Sequence, residues 1–339
     1  MMPPSSPFPR IQGDRMDALM VTSDFPDVRV GRITEAMNDY RWRHTVISRR
    51  PPAQFESAYA HIVNSPFLGW KDVAKYVSES DAAIVHVHGE MYCYHSALIA
   101  REATKKPIVL NAHDLTIARE GVLYDPYEHQ AFEDADALVF VTEQQRDFAR
   151  LAGYAVDKPT AFISNLPSST YFIEKSCLPH IGGVVCSGGM SKRGDDSNRR
   201  DLSAVADALK GALHIYPGQE APDYGIPHDV EYDYPLYIHR LGRHDWGFAG
   251  HPVPNPAWGH SFPTRIGEYW SAGLPFVSLN VPLLEPFARR GMGILLSSLS
   301  ELSDLPDPKS YRKAVMDQRY QYTTQREISK LDELYRGLL

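Results

Sequence analysis

The side chains of this chain best suited to chemistry sit at the ends of apolar runs. Val85 leads into His86-Val87-His88-Gly89-Glu90, and Leu110 into Asn111-Ala112-His113-Asp114, giving imidazoles and carboxylates that could move protons or hold a metal. Val185 leads into Cys186-Ser187-Gly188-Gly189-Met190-Ser191-Lys192-Arg193-Gly194, with a glycine pair and two cations. Trp246 to Ala249 leads into the long segment 250–268, which ends with Thr264, Arg265 and Glu268. Taken alone, Glu268 reads as a solvated helix residue, at the head of an apolar stretch broken by Gly273 and Pro275. His86 and His88, two apart, face one side of a strand. With Glu90 and His113 they form a candidate metal set. The further histidine and aspartate ligands of a metal hydrolase are not evident, so no metal is expected and His86 reads as packing.

The elements that must position these residues repeat one rhythm. Short β-rich runs at 18–22, 45–47, 82–86, 107–111 and 137–141 alternate with helical periodicity such as Ile33, Ala36, Met37 and Tyr40. After a less regular segment near 166–181 the rhythm restarts, with runs at 183–187, 212–216, 246–249, 276–279 and 293–296. This predicts two α/β domains in tandem, each a parallel sheet wrapped by helices. The expected divisions are 1–168, 169–310 and one or two closing helices in 311–339 that pack back on the first domain. In such sheets ligands bind beyond the carboxyl ends of the strands, where the polar segments fall.

Composition bounds the function. The chain has 339 residues, 43% hydrophobic and 23% charged, enough for about two cores. A formal net charge of −7 gives no global attraction to nucleic acid or anionic lipid. Three cysteines without paired spacing, Cys93, Cys177 and Cys186, fit a reducing compartment. The opening Pro-rich residues do not read as a signal peptide, and no apolar run is long enough to cross a bilayer. A cytoplasmic protein is expected, with peripheral contact at the inner membrane face compatible with that.

The order of these segments resembles the retaining GT-B glycosyltransferases of family 4 (group 1). The resemblance spans most of residues 17–335. Phe262-Pro-Thr-Arg265-Ile-Gly-Glu268-Tyr-Trp-Ser-Ala-Gly273-Leu-Pro275-Phe-Val277 is its most specific part, similar to the family's Pro-x-Lys-x-x-Glu-Tyr-x-x-Ala-Gly-x-Pro-Val with Arg265 in the lysine place. "AFEDADALVFVTEQQRDFAR", "FISNLPSSTYF" and "RLGRHDWGFAG" fit other segments of that family. The fold implied is two Rossmann-like domains facing across a cleft.

The resemblance also implies roles. Glu268 would accept hydrogen bonds from the ribose hydroxyls of a nucleotide-sugar donor, a task suited to a carboxylate's lone pairs. Arg265, Thr264, Lys192, Arg193, Gly188 and Gly189 would meet the charge that builds on the leaving diphosphate. His113, Asp114 and His260 would be the catalytic residues, with His113 and Asp114 near the transferred sugar. His260 occupies the place where many members carry a second glutamate, and supplies no fixed negative charge there. Gly31, Arg32, His88 and Glu90 would face the acceptor, a glycan, lipid-linked or other small molecule, with Gly31 allowing close approach of a ligand. No cofactor is expected, because protein cations and a helix terminus stand in for a metal.

Three alternatives stay open. A sugar-nucleotide epimerase would need carboxylates flanking the sugar, and His260 speaks against it. A viral-type transferase acting on a DNA base is disfavoured by the acidic charge, although Arg41, Arg43, Arg49 and Arg50 could form a local basic cleft. A catalytically silent sugar-binding protein would bind nucleotide without turnover.

Overall fold

The computed structural model describes residues 15–22, 26–52, 54–89, 94–122, 124–188, 201–209, 211–216, 233–250, 259–279 and 281–339. Within them two parallel sheets form. The first contains β1 (Met16–Val21), β2 (Trp42–Ser48), β3 (His61–Asn64), β4 (Ile84–Gly89), β5 (Ile108–Ala112), β6 (Ala137–Phe140) and β7 (Thr160–Phe162), in the order β3-β2-β1-β4-β5-β6-β7. The second contains β8 (Val184–Ser187), β9 (Leu213–Tyr216), β10 (Trp246–Phe248), β11 (Phe276–Leu279) and β12 (Gly293–Leu296), in the order β12-β11-β10-β8-β9. The interior strands β4, β5, β6, β8 and β11 are buried at every position, which is why they read as continuous apolar runs. The edge strand β3 has exposed ends and only Ile62-Val63 as an apolar signal, and sequence periodicity does not find it.

Strand order reverses between β1 and β4 in one sheet and between β8 and β10 in the other, so each sheet has its crevice there. Two helices follow these points. Val28–Asn38 leaves the loop after β1, capped by Asp27, whose carboxylate accepts the Val30 N–H at 2.9 Å. Thr264–Ser271 leaves the segment after β10 and is pinned by Tyr269, whose hydroxyl donates to the Phe248 carbonyl at 2.8 Å and accepts the Ser187 N–H at 3.3 Å. Gly247 makes room for that ring, because a Cβ there would stand 2.4 Å from Tyr269.

The end of the chain ties both domains. Helix Lys309–Gln318 lies on the second, with Tyr311 against Trp246. The buried Arg319 guanidinium then donates to the carbonyls of Ile173, Trp270 and Ser271 and pairs with Glu174 at 3.1 Å. Helix Ser329–Gly337 returns to the first sheet, where Leu331 and Tyr335 join Met20, Val46 and Ile84 in one apolar cluster. Trp42 donates its indole N–H to Asp332 at 2.8 Å, and the Tyr335 hydroxyl bonds Nδ1 of His86.

Candidate functional site

Glu268 lies five residues into its helix and is buried. One oxygen, Oε2, accepts two hydroxyls: Ser187 Oγ, the last residue of β8, at 2.9 Å, and Tyr237 Oη at 2.8 Å. Two hydroxyl donors fix the carboxylate at the carboxyl end of the second sheet. Burial holds the Tyr237 phenol far above its usual range, so it stays protonated and donating. Beside it, the half-buried Arg265 donates from Nη1 to Cys186 Sγ at 3.1 Å. Burial opposes the Arg265 charge, but Cys186, Tyr269 and Glu268 outweigh it and hold its pKa above the usual arginine value. Gly188 follows β8 in the left-handed region, φ +91°, and a Cβ there would meet Arg265 Nη2 at 3.9 Å. Thr264 opens the helix after Pro263; the Ile266 N–H donates to the Pro263 carbonyl at 3.1 Å, and the N–H groups of Thr264 and Arg265 precede the first helical bond. A carboxylate, a guanidinium, a glycine turn and a helix N-terminus therefore converge at one strand end, a set that suits a polar anionic ligand with hydroxyl groups.

Tyr237 and Ser187 were not singled out from sequence. The signal for Tyr237 is Asp233-Tyr234-Pro235-Leu236-Tyr237, in which Asp233 caps the helix Tyr234–Leu241 and the two tyrosines share a face one turn apart.

The first domain presents its own set. His113 follows β5 with its Nδ1 3.6 Å from Asp27 Oδ2. Its backbone is fixed from both sides, the N–H donating to Gly89 O at 3.0 Å and the carbonyl accepting from Gln145 Nε2 at 3.0 Å. Asp114 carries the carbonyl that accepts the Tyr94 hydroxyl, and its charge acts on Arg29. Arg29 is buried and reaches Asn165 Oδ1 at 2.7 Å and Asn111 Oδ1 at 3.3 Å; burial lowers its pKa to about 10. Asn165 in turn donates to the Phe262 carbonyl at 2.6 Å, joining this set to the segment before Glu268.

The other candidates have protein partners of their own. His88 is buried, stacked on His86 at 4.6 Å, with its Nδ1 3.3 Å from Asn111 Nδ2. Gly31 does allow a close approach, but the neighbour is Phe55, whose ring would stand 2.6 Å from a Cβ at Gly31. Arg32 is buried and donates to the Tyr234 hydroxyl of the second domain at 2.6 Å. His260 packs its ring on Phe148 at 4.6 Å, its carbonyl accepts the Thr142 hydroxyl, and burial lowers its pKa. Glu90, Gly189, Lys192 and Arg193 lie outside the described residues. Among the described residues no three His, Cys, Asp or Glu side chains converge to hold a metal ion, and no helix is long and apolar enough to cross a membrane.

Comparison with known proteins agrees with this architecture. Residues 26–165 match the model described as "Glycosyl transferase 4-like domain". No protein of curated function matches the chain by sequence. Among solved structures, HepE of Anabaena in complex with UDP and glucose is similar at 13% identity and a TM-score of 0.66, covering 96% of this chain and 99% of that one. AviGT4, a glycosyltransferase involved in avilamycin A biosynthesis, is similar at 11% identity and a TM-score of 0.60, over 95% and 98%. UDP-GlcNAc 2-epimerase of Methanocaldococcus jannaschii, in complex with UDP-GlcNAc and UDP, is similar at 10% identity and a TM-score of 0.51, over 89% and 92%. The chain thus has the two-domain GT-B fold, and its residues 26–165 match the glycosyl transferase 4-like domain model.

Proposed function

We propose that the protein transfers a sugar from a nucleoside-diphosphate sugar to an acceptor hydroxyl with retention of anomeric configuration. The observation that carries this reading is the buried Glu268 carboxylate, oriented by Ser187 and Tyr237 beside Arg265 and Gly188. Glu268 accepts the ribose hydroxyls. Arg265 and the amides at the head of its helix stabilise the diphosphate as the bond to the anomeric carbon stretches. The acceptor enters from the first domain, past His113 and Asp27, and the leaving phosphate takes the acceptor's proton on the same face. Uridine is the first base to test, because HepE and the archaeal epimerase bind UDP.

The test is product analysis: incubation with a panel of UDP-sugars and glycan or lipid-linked acceptors, following UDP release and the anomeric configuration of the product by NMR. UDP release with a retained linkage supports the reading. Interconversion of the donor sugar at carbon 2 without transfer would replace it with an epimerase.

A further inference from the structure

Arg32 is a buried cation with an unusual set of neighbours. It is 2% exposed, and among the described residues it forms no ion pair and its Nε and Nη1 have no hydrogen-bond partner. Burying a guanidinium without a carboxylate in contact costs several kcal/mol, so packing alone gives no reason for an arginine here. Its Nη2 donates across the domain boundary to Tyr234 Oη. Burial lifts the Tyr234 phenol to about 12, so it remains a hydroxyl that accepts from Arg32.

The contact continues to the proposed donor site. Tyr234 and Tyr237 lie one turn apart on a single helix with ring centroids 5.9 Å apart, and Tyr237 donates to Glu268. Arg32 also touches the Glu268 helix directly: a Cβ on Gly267 would stand 2.8 Å from Nη1, so the glycine beside Glu268 leaves space for the guanidinium. The electrostatic balance has the same partners: burial opposes the Arg32 charge, and the Tyr234 hydrogen bond and the Glu268 carboxylate offset it. Arg32 therefore braces both helices that meet at the carboxylate. Separation of the domains would remove this brace and free the helix that aims Tyr237.

We infer that Arg32 is a positioning residue for Glu268, acting across the domain boundary through Tyr234 and Tyr237, so that the donor carboxylate is set only when the first domain is docked. The inference rests on Glu268 serving as the donor carboxylate. Its test is calorimetric titration of the full-length protein with UDP, GDP, ADP, CMP and dTDP, for the wild type, Tyr234→Phe, Arg32→Met, Glu268→Gln and the double variant Tyr234→Phe/Glu268→Gln. Tyr234→Phe, which removes one oxygen, weakens the bound nucleotide on the order of tenfold in the wild-type background and has no further effect in Glu268→Gln. Equal losses in both backgrounds would mean direct contact with the nucleotide and would overturn the positioning role. So would unchanged affinity accompanied by a lower melting temperature. A wild type that binds none of the five nucleotides would overturn the reading of Glu268 itself, and this is distinguishable because it appears without any substitution.

Discussion

The Tyr237 hydroxyl stands 2.8 Å from Oε2 of Glu268 and donates to it, sharing that oxygen with Ser187. The carboxylate is thus preset by two donors from different elements, one at the end of β8 and one on the helix Tyr234–Leu241. Removing Glu268 leaves two buried hydroxyls without their acceptor. Glu268→Ala is expected to cost about 1–3 kcal/mol of stability, and Tyr237→Phe about 1–2 kcal/mol. Urea midpoints measure both, and no loss in either variant would contradict this network.

A second prediction concerns pH. His44 and His86 are buried with pKa values lowered to about 3 by burial, and His88 lies well below its usual value for the same reason. All three are neutral in the folded state, whereas in the unfolded chain they titrate near 6.5. The unfolded state then binds more protons as pH falls below about 6.5, and stability drops from there toward pH 3. The slope is at most about 1.4 kcal/mol per pH unit for each histidine. Glu35 and Glu128, whose pKa values burial raises, act in the opposite sense at the acid end. His44→Leu removes an imidazole with no hydrogen bond at either nitrogen among the described residues, and should flatten the slope between pH 7 and 5 without lowering stability at pH 7 by more than about 1 kcal/mol. An unchanged slope would contradict the buried neutral state.

The return of the chain's end to the first sheet gives a third. Tyr335 is fully buried, meets Trp42 edge-on at 4.8 Å and bonds His86. Tyr335→Ala is expected to cost about 3–5 kcal/mol, and Tyr335→Phe only about 1–2 kcal/mol for the hydroxyl. Denaturant titration separates the two. Equal losses would show that the ring's packing contributes little.

The fourth tests Gly31. A methyl group there meets the Phe55 ring, which is held at φ 61° on a residue that seldom adopts that region and packs on Tyr171 and Tyr234 of the segment beyond the first sheet. Gly31→Ala should destabilise by about 1–3 kcal/mol through overpacking. In a Phe55→Gly background, which removes all three contacting atoms, adding Gly31→Ala should cost less than it does in the wild type. An equal cost in both backgrounds would place the strain elsewhere.

The sequence makes the frame legible because a strand buried on both faces writes itself as an apolar run, as at Ile108–Ala112 and Phe276–Leu279. Glu268 was legible only within its surrounding signature. What holds it was not, because Ser187 and Tyr237 stand 81 and 31 residues away in the chain, and hydroxyls on apolar elements carry no periodic signal. Gly31 shows the converse: the need for a small residue is visible in sequence, but the neighbour that requires it, Phe55, is a loop residue placed by tertiary packing. Arg32 reads as a cation for a ligand until its Tyr234 partner, 202 positions away, is seen.

The most direct test of the account is thermal unfolding of the wild type and of Glu268→Ala with each of UDP, GDP, ADP, CMP and dTDP. A nucleotide that binds only the folded state at about 100 times its dissociation constant adds roughly 2.7 kcal/mol, which raises the melting temperature by several degrees. The account predicts such a rise in the wild type with at least one nucleoside diphosphate, and its disappearance in Glu268→Ala. No rise with any of the five, or a rise that survives the substitution undiminished, would contradict Glu268 as the donor carboxylate.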